Sequence, residues 1–247
     1  MTANPVRQIG TLTAFLVRDL ARSLAGAAPP AMTLILYSFT FTYPAGIDYF
    51  VAVAGACLLT VAYVTTLLLA WRINRGISYP WLVLLRRRGS LLAALGLSTL
   101  IVTAAMTLLF TGLALVQRKI ELSPMLAVQI GLRWLPLFVL AIAAGLLTSK
   151  LVSRGGSYLI VPVALAVLFT VDEWRGVLEH SRLGIAVQIV NAIGWPVRTL
   201  LLTDPATVTA SGVTSLLTAG LVVLILAAFL SWLATRSFAN KDLIWVE

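Results

Sequence analysis

A single arginine inside an apolar run is the first residue that needs a chemical explanation. Arg133 falls within the apolar stretch of residues 126–148, roughly 10 Å inside it at helical rise. A charge deep in a bilayer costs about 2.5 kcal/mol or more even on lenient scales. Three expectations follow for Arg133: it snorkels outward, it pairs with Asp172, Glu173 or Glu179, or it lines the path of a substrate. Other reactive groups are scarce. His180 is the only histidine and Cys57 the only cysteine. One histidine excludes bis-histidine haem ligation within the chain, and no Cys/His cluster offers a metal site. No strained serine motif stands near His180, so His180 reads as a loop residue rather than a hydrolase base. Cys57 excludes an internal disulfide and reads as a small packing residue. No glycine-rich phosphate loop is present, so any ATP hydrolysis belongs to another chain. No acid falls inside the clearest apolar runs, which argues against a proton or ion relay. The chain is expected to be no enzyme by itself and to hold no cofactor or metal.

The elements that must position these residues follow from composition. Of 247 residues, 60% are hydrophobic and 11% charged, and the mean hydropathy is +0.99. A soluble domain carries about 25% charged residues. So few charges would leave a soluble fold coated in apolar surface, whereas a bilayer accepts it. The expected fold is an all-α integral membrane protein with six spans, each needing about 20 apolar residues. The first 26 residues carry Arg7, Arg18, Asp19 and Arg22 and no uninterrupted apolar core. No cleavable signal peptide is therefore expected.

Within that N-terminal stretch, Leu12, Phe15, Leu16, Leu20 and Leu24 recur at helical spacing, with Arg18 and Arg22 on another face. This predicts an amphipathic helix in the membrane interface, its arginines toward lipid phosphates, or else a helix packed on the rest of the protein. A cytoplasmic N-terminus over 1–26 then leads to a transmembrane domain over 27–235. Its spans are expected near 27–43, 49–71, 91–116, 126–148, 157–171 and 213–235, with a cytoplasmic tail over 236–247. Pro29 and Pro30 suit a helix start. Tyr37, Phe39, Phe41 and Tyr43 alternate at two-residue spacing and so point around a helix; they read as packing and belt residues before substrate contacts. Most of the seven tryptophans fall near span ends, as an interfacial belt.

Two connections are unusual. Residues 72–90 are strongly basic, with Arg72, Arg75, Arg86, Arg87 and Arg88, yet hold a short apolar piece with Pro80 and Trp81. Residues 172–212 open with charges, turn apolar over 183–195 and are interrupted by Gly194 and Pro196. That pattern predicts a re-entrant or interfacial element on the outer side, since broken helices at membrane depth need protein or a water-filled cavity beside them. In this topology twelve basic residues fall inside and five outside, and six of the nine acids fall outside. The Lys/Arg bias places both termini in the cytoplasm of a bacterial-type inner membrane. The net charge of +9 thus sets topology and gives no sign of nucleic acid binding.

This order of parts resembles the permease subunits of type-2 ABC exporters. Leu12–Leu24 matches their interface helix, Arg72–Arg88 their coupling segment and Trp174–Leu202 their re-entrant element. Arg75, Gly76, Ile77, Ser78, Tyr79 and Pro80 stand where many members carry a Gly-Thr-Leu/Ile-Glu-like stretch, and the acid is absent. The resemblance implies a half-transporter that dimerises with a second copy or a paralogue on separate ATPase subunits, which bind ATP and Mg. ATP-driven closure would move the coupling residues Arg72, Arg75, Pro80, Trp81, Arg86, Arg87 and Arg88, and shift spans one, two and five. Arg133 and Tyr37 are the candidates for a pathway or an intramembrane pairing. Two alternatives stand beside it: the membrane component of a haem-export or cytochrome-maturation ABC system, of similar size and span count, and a non-catalytic scaffold subunit of a respiratory or photosynthetic complex, which the lack of intramembrane histidines fits.

Overall fold

The computed structural model describes residues 5–44, 46–73, 89–152, 194–203 and 210–239. Every secondary-structure element among them is helical. The expected span at 157–171, the coupling residues Arg75, Pro80, Trp81, Arg86, Arg87 and Arg88, and residues 172–193 of the outer connection lie outside the described residues, as does the tail beyond Ala239.

The amphipathic helix α1 runs Pro5–Arg22, beginning earlier than its leucine pattern indicates. It ends where the Ser23 N–H and hydroxyl both donate to the Leu20 carbonyl. A 3-10 turn, Leu24–Ala27, follows. Gly26 is required there, because a Cβ would stand 2.1 Å from the Leu20 oxygen. Helix α2, Ala28–Thr40, starts on Pro29 and Pro30, whose missing N–H groups fall where a helix has no acceptor for them. At 13 residues it is shorter than the expected 27–43. Even joined to the turn, Leu24–Thr40 falls short of the length set for a full crossing.

Among the described residues, four helices are long and apolar enough to cross a membrane. They are α3 (Ile47–Arg72), α4 (Gly89–Val116), α5 (Pro124–Thr148) and, after a helical stretch α6 over 194–202, α7 (Ala210–Ala239). Helix α5 opens on Ser123, whose Oγ accepts from the Leu126 N–H, with Pro124 in the first turn. Their apolar windows differ in place: 61% of the residues are buried in α3 and in α5, against 22% in α4 and 17% in α7. So α3 and α5 form the centre, and α4 and α7 turn most of their surface outward.

Two apolar clusters fix the directions of the chain. One joins Leu12, Leu16 and Leu20 of α1 to Leu69 and Ala70 of α3, Leu91 and Leu95 of α4, Leu146 of α5, Leu151, and Phe238 of α7. The other joins Tyr37 and Phe41 to Phe50, Phe110, Trp134, Leu200, Leu201 and Ala219. Consequently α3, α5 and α7 run parallel, and α2 and α4 run the other way. One end of the bundle carries α1, the finish of α3, α5 and α7, and the start of α4. The opposite end carries α6 and the loops near 41–46 and 117–123.

The alternating aromatics of α2 divide between two faces. Tyr37 and Phe41, four apart, are buried and stack at 5.7 Å, whereas Phe39 and Tyr43 are largely exposed. Trp71, Trp195 and Trp232 are exposed, whereas Trp134 is not. Trp134 is 2% exposed in the central cluster, and its Nε1 donates to the Val51 carbonyl at 3.2 Å. Helix–helix packing between α3 and α5, rather than the membrane interface, holds this ring.

Candidate functional site

At the end that carries α1, the structure builds a platform. The Leu12, Leu16 and Leu20 stripe of α1 is buried against α4 and the finish of α3. Thr13 and Ser98 cross-link α1 and α4: the Thr13 hydroxyl donates to the Ala94 carbonyl, and the Ser98 hydroxyl to the Thr13 carbonyl, each at 3.4 Å. Arg72, in the last turn of α3, donates through Nη2 and Nε to Asp19 Oδ2 at 2.7 and 3.1 Å. Thus α1 bridges α3 and α4, the two helices that flank residues 74–88. Of the basic coupling residues, Arg72 is the one described, and its partner lies on α1.

The Asp19–Arg72 pair is partly solvated, with side-chain exposures of 30% and 19%, so screening keeps its worth small. A double-mutant cycle with Asp19→Asn and Arg72→Gln, read by thermal unfolding of the purified protein, should give a coupling energy of about 0.5–1 kcal/mol. Additive effects would mean that the pair does not tie α1 to α3.

The opposite end holds Arg133. Its side chain is 3% exposed, and Nη1 donates to the Thr203 carbonyl at 2.5 Å, just past the end of α6. A backbone carbonyl at the end of α6 is therefore one partner of this buried charge. Asp172, Glu173 and Glu179 lie outside the described residues. Gly194 and Pro196 are both buried at the start of α6, and Leu200 and Leu201 on the same helix enter the core. The predicted break in the outer connection thus falls at the start of the described helical stretch.

Beside Arg133, a groove of about 430 Å³ runs between α5 and α7 with Leu200 on its wall. Gln129 and Arg133 supply its polar groups, Pro136 and Leu221 are among its apolar ones, and Leu217, 67% exposed, stands at its open side. This arrangement can hold an apolar or amphipathic molecule that enters sideways. A second groove of about 340 Å³ lies between α4, α5 and α7 toward the other end, with Gly96, Ile142, Ser231 and Thr235 on its walls.

Tyr37 does not join Arg133. Its hydroxyl donates to Gln117 Oε1 at 2.9 Å, and its ring meets Phe110 edge-on at 5.2 Å. Lys119 reaches back to the Thr42 carbonyl at 2.8 Å. These two bonds tie the α2–α3 connection to the α4–α5 connection, so Tyr37 braces that end of the bundle.

Sequence reasoning missed three features: the Asp19–Arg72 tie, the Trp134–Val51 bond and the glycine seats between α3 and α5. A Cβ at Gly145 would stand 2.8 Å from Thr66 Cβ, and one at Gly55 would stand 2.7 Å from Trp134 Nε1. The only signal for the seats was small residues in apolar helices, which allow close helix approach in membranes but do not say against which neighbour. No protein-family model, curated protein or solved structure matches the chain. The class stands on the architecture alone: every described element is helical, and four of the described helices are long and apolar enough to cross a membrane.

Proposed function

We propose that this chain is the membrane-spanning permease subunit of an ATP-driven ABC exporter, with six spans and both termini in the cytoplasm of a bacterial-type inner membrane. The observation that carries this reading is the seating of α1 across α3 and α4, the two helices that bracket the basic 74–88 segment. A motor acting on that segment would push on a braced platform rather than on a loose loop. Topology adds support. Helix α5 finishes at the platform end, whereas α6 packs at the opposite end. A fifth span near 157–171 would join these two ends. Helix α2 supplies the first span if the bilayer thins or the flanking residues make up its length. Charge supports the orientation: Arg7, Arg18, Arg22, Arg72, Lys150 and Arg236 belong to the platform end.

In this reading ATP and Mg bind separate ATPase subunits, and a second permease copy or a paralogue completes the transporter. Substrate moves because the two packings of the spans differ in their affinity for it. The groove between α5 and α7 suits an apolar or amphipathic substrate class.

The test uses the full chain expressed with its genomic neighbours. A nucleotidase should co-purify with it. Changing Arg86→Ala, Arg87→Ala and Arg88→Ala together should reduce ATP-driven transport by about tenfold or more while membrane insertion, read by protease accessibility, stays intact; a tenfold effect corresponds to about 1.4 kcal/mol of coupling. Normal transport by that variant would remove the coupling role. Co-purifying redox subunits in place of a nucleotidase would replace the whole reading with a scaffold one.

A further inference from the structure

We infer that α1 docks on the membrane chiefly through charge: Arg7, Arg18 and Arg22 form an outward stripe that binds anionic phospholipid headgroups of the leaflet at the platform end.

The two faces of the helix differ. At 100° per residue, Arg7, Arg18 and Arg22 fall within about 60° of one another, and Leu12, Leu16 and Leu20 lie on roughly the opposite side. The burial pattern agrees: the three arginines are exposed, with Thr11 and Ala14 between them, while the three leucines are buried. An interface helix ordinarily inserts its apolar face among the acyl chains. Here that face is already buried, mainly against α4, in a cluster that also takes in residues of α3, α5 and α7. What remains toward the outside carries three arginines among small residues, with Val6 exposed at the start of the helix and Leu24 just past its end.

Nothing else on the described surface uses these charges. Asp19, the one acid of α1, is turned about 100° from Arg18 by helical geometry and is held by Arg72. Among the described residues Arg7, Arg18 and Arg22 make no ion pair, and their side chains make no hydrogen bond. Position selects lipid over an acidic protein as the occupant. Trp232 is exposed on α7, and Arg236 lies over its ring at 5.4 Å. A tryptophan–arginine pair of this kind marks headgroup level. The leucine stripe of α1 packs with Ala234 and Phe238, which flank that level on the same helix. The arginine stripe therefore lies where phosphates surround the protein. Because α1 also holds Arg72 and α4, the leaflet's anionic content would bear on the platform that brackets residues 74–88. This inference requires a membrane protein but no ATPase, so it can fail or hold apart from the exporter reading.

The experiment uses the purified full chain in a neutral detergent, titrated with phosphatidylglycerol or with phosphatidylcholine, and reads the thermal unfolding midpoint. Phosphatidylglycerol should raise the midpoint at concentrations where phosphatidylcholine does not, and about 0.5 M salt should abolish the difference by screening. Each basic residue near an anionic surface contributes enough for about fivefold in affinity. The Arg18→Gln variant should therefore need about five times more phosphatidylglycerol for half the effect. The triple variant Arg7→Gln, Arg18→Gln, Arg22→Gln should need on the order of 100-fold more, and the matching triple Lys variant should stay near wild type. Equal responses to the two lipids, a response indifferent to salt, or an unchanged response in the Gln variants would each overturn the inference. So would a triple Gln variant that loses a bound acidic protein while keeping its lipid response.

Discussion

Gly145→Ala should lower the thermal midpoint of the purified protein by several degrees, while Gly112→Ala and Gly131→Ala should leave it unchanged or raise it. All three glycines lie inside long helices, where alanine alone is favoured by about 1 kcal/mol in helix propensity. The surroundings decide the sign. A Cβ at Gly112 or Gly131 meets nothing within 4 Å. At Gly145 it meets Thr66 Cβ at 2.8 Å and Cγ2 at 3.0 Å. Thr66 is β-branched, fully buried and bonded through Oγ1 to the Ala62 carbonyl at 2.8 Å, so it has no room to rotate away. Helices α3 and α5 would have to part, at about 1–3 kcal/mol. Gly55→Ala should act the same way from the other seat, because its Cβ meets Leu201 Cδ2 at 2.6 Å and Trp134 Nε1 at 2.7 Å and displaces the ring from Val51. Equal midpoints for Gly145→Ala and Gly131→Ala in thermal unfolding would show that the two helices do not seat this closely.

The second large effect is expected at Arg133. Arg133→Ala removes a charged donor from the Thr203 carbonyl and leaves a gap beside an existing groove. A hydrogen bond to a charged group is worth about 1.5–3 kcal/mol, and the gap adds to the loss. Amide exchange at residues 194–203 should speed up by tenfold or more, whereas α4, which does not border this groove, should exchange as before. Arg133→Lys should restore the contact only in part, since a point ammonium does not reproduce a planar guanidinium. Uniform acceleration over all helices would indicate general destabilisation and remove the specific tie between α5 and α6.

The long helices were readable because the bilayer writes them as apolar runs. The expected 49–71, 91–116, 126–148 and 213–235 fall inside Ile47–Arg72, Gly89–Val116, Pro124–Thr148 and Ala210–Ala239. Each helix extends past its apolar run at one or both ends, because capping groups and polar ends such as Ser123 and Arg72 continue the helix where hydropathy stops. The first span was read too long: the chain already bends by Phe41, whose ring turns into the core while Tyr43 faces outward. Which helix packs on which was not readable. Apolar residues facing lipid and those facing protein look alike in sequence, so nothing marked α3 and α5 as central or Trp134 as buried. Arg133 was legible as a buried charge but its carbonyl partner was not, because Thr203 carries no charge to signal the pairing. Arg72 was legible as basic, whereas its link to Asp19 spans 53 positions.

Pro136 sits inside α5 and, lacking an N–H, leaves the Leu132 carbonyl without its usual rung in the helix ladder. A helix with a missing rung bends there first. Yet the two seats on α3 lie on either side of it, Trp134 with Gly55 before and Gly145 with Thr66 after. Helix α3 therefore works as a splint across a flawed rod. While both seats hold, a push on the Arg72 end travels the full length of α5 to the Trp134 collar as one stiff stroke, and α5 becomes an elbow only when α3 lets go.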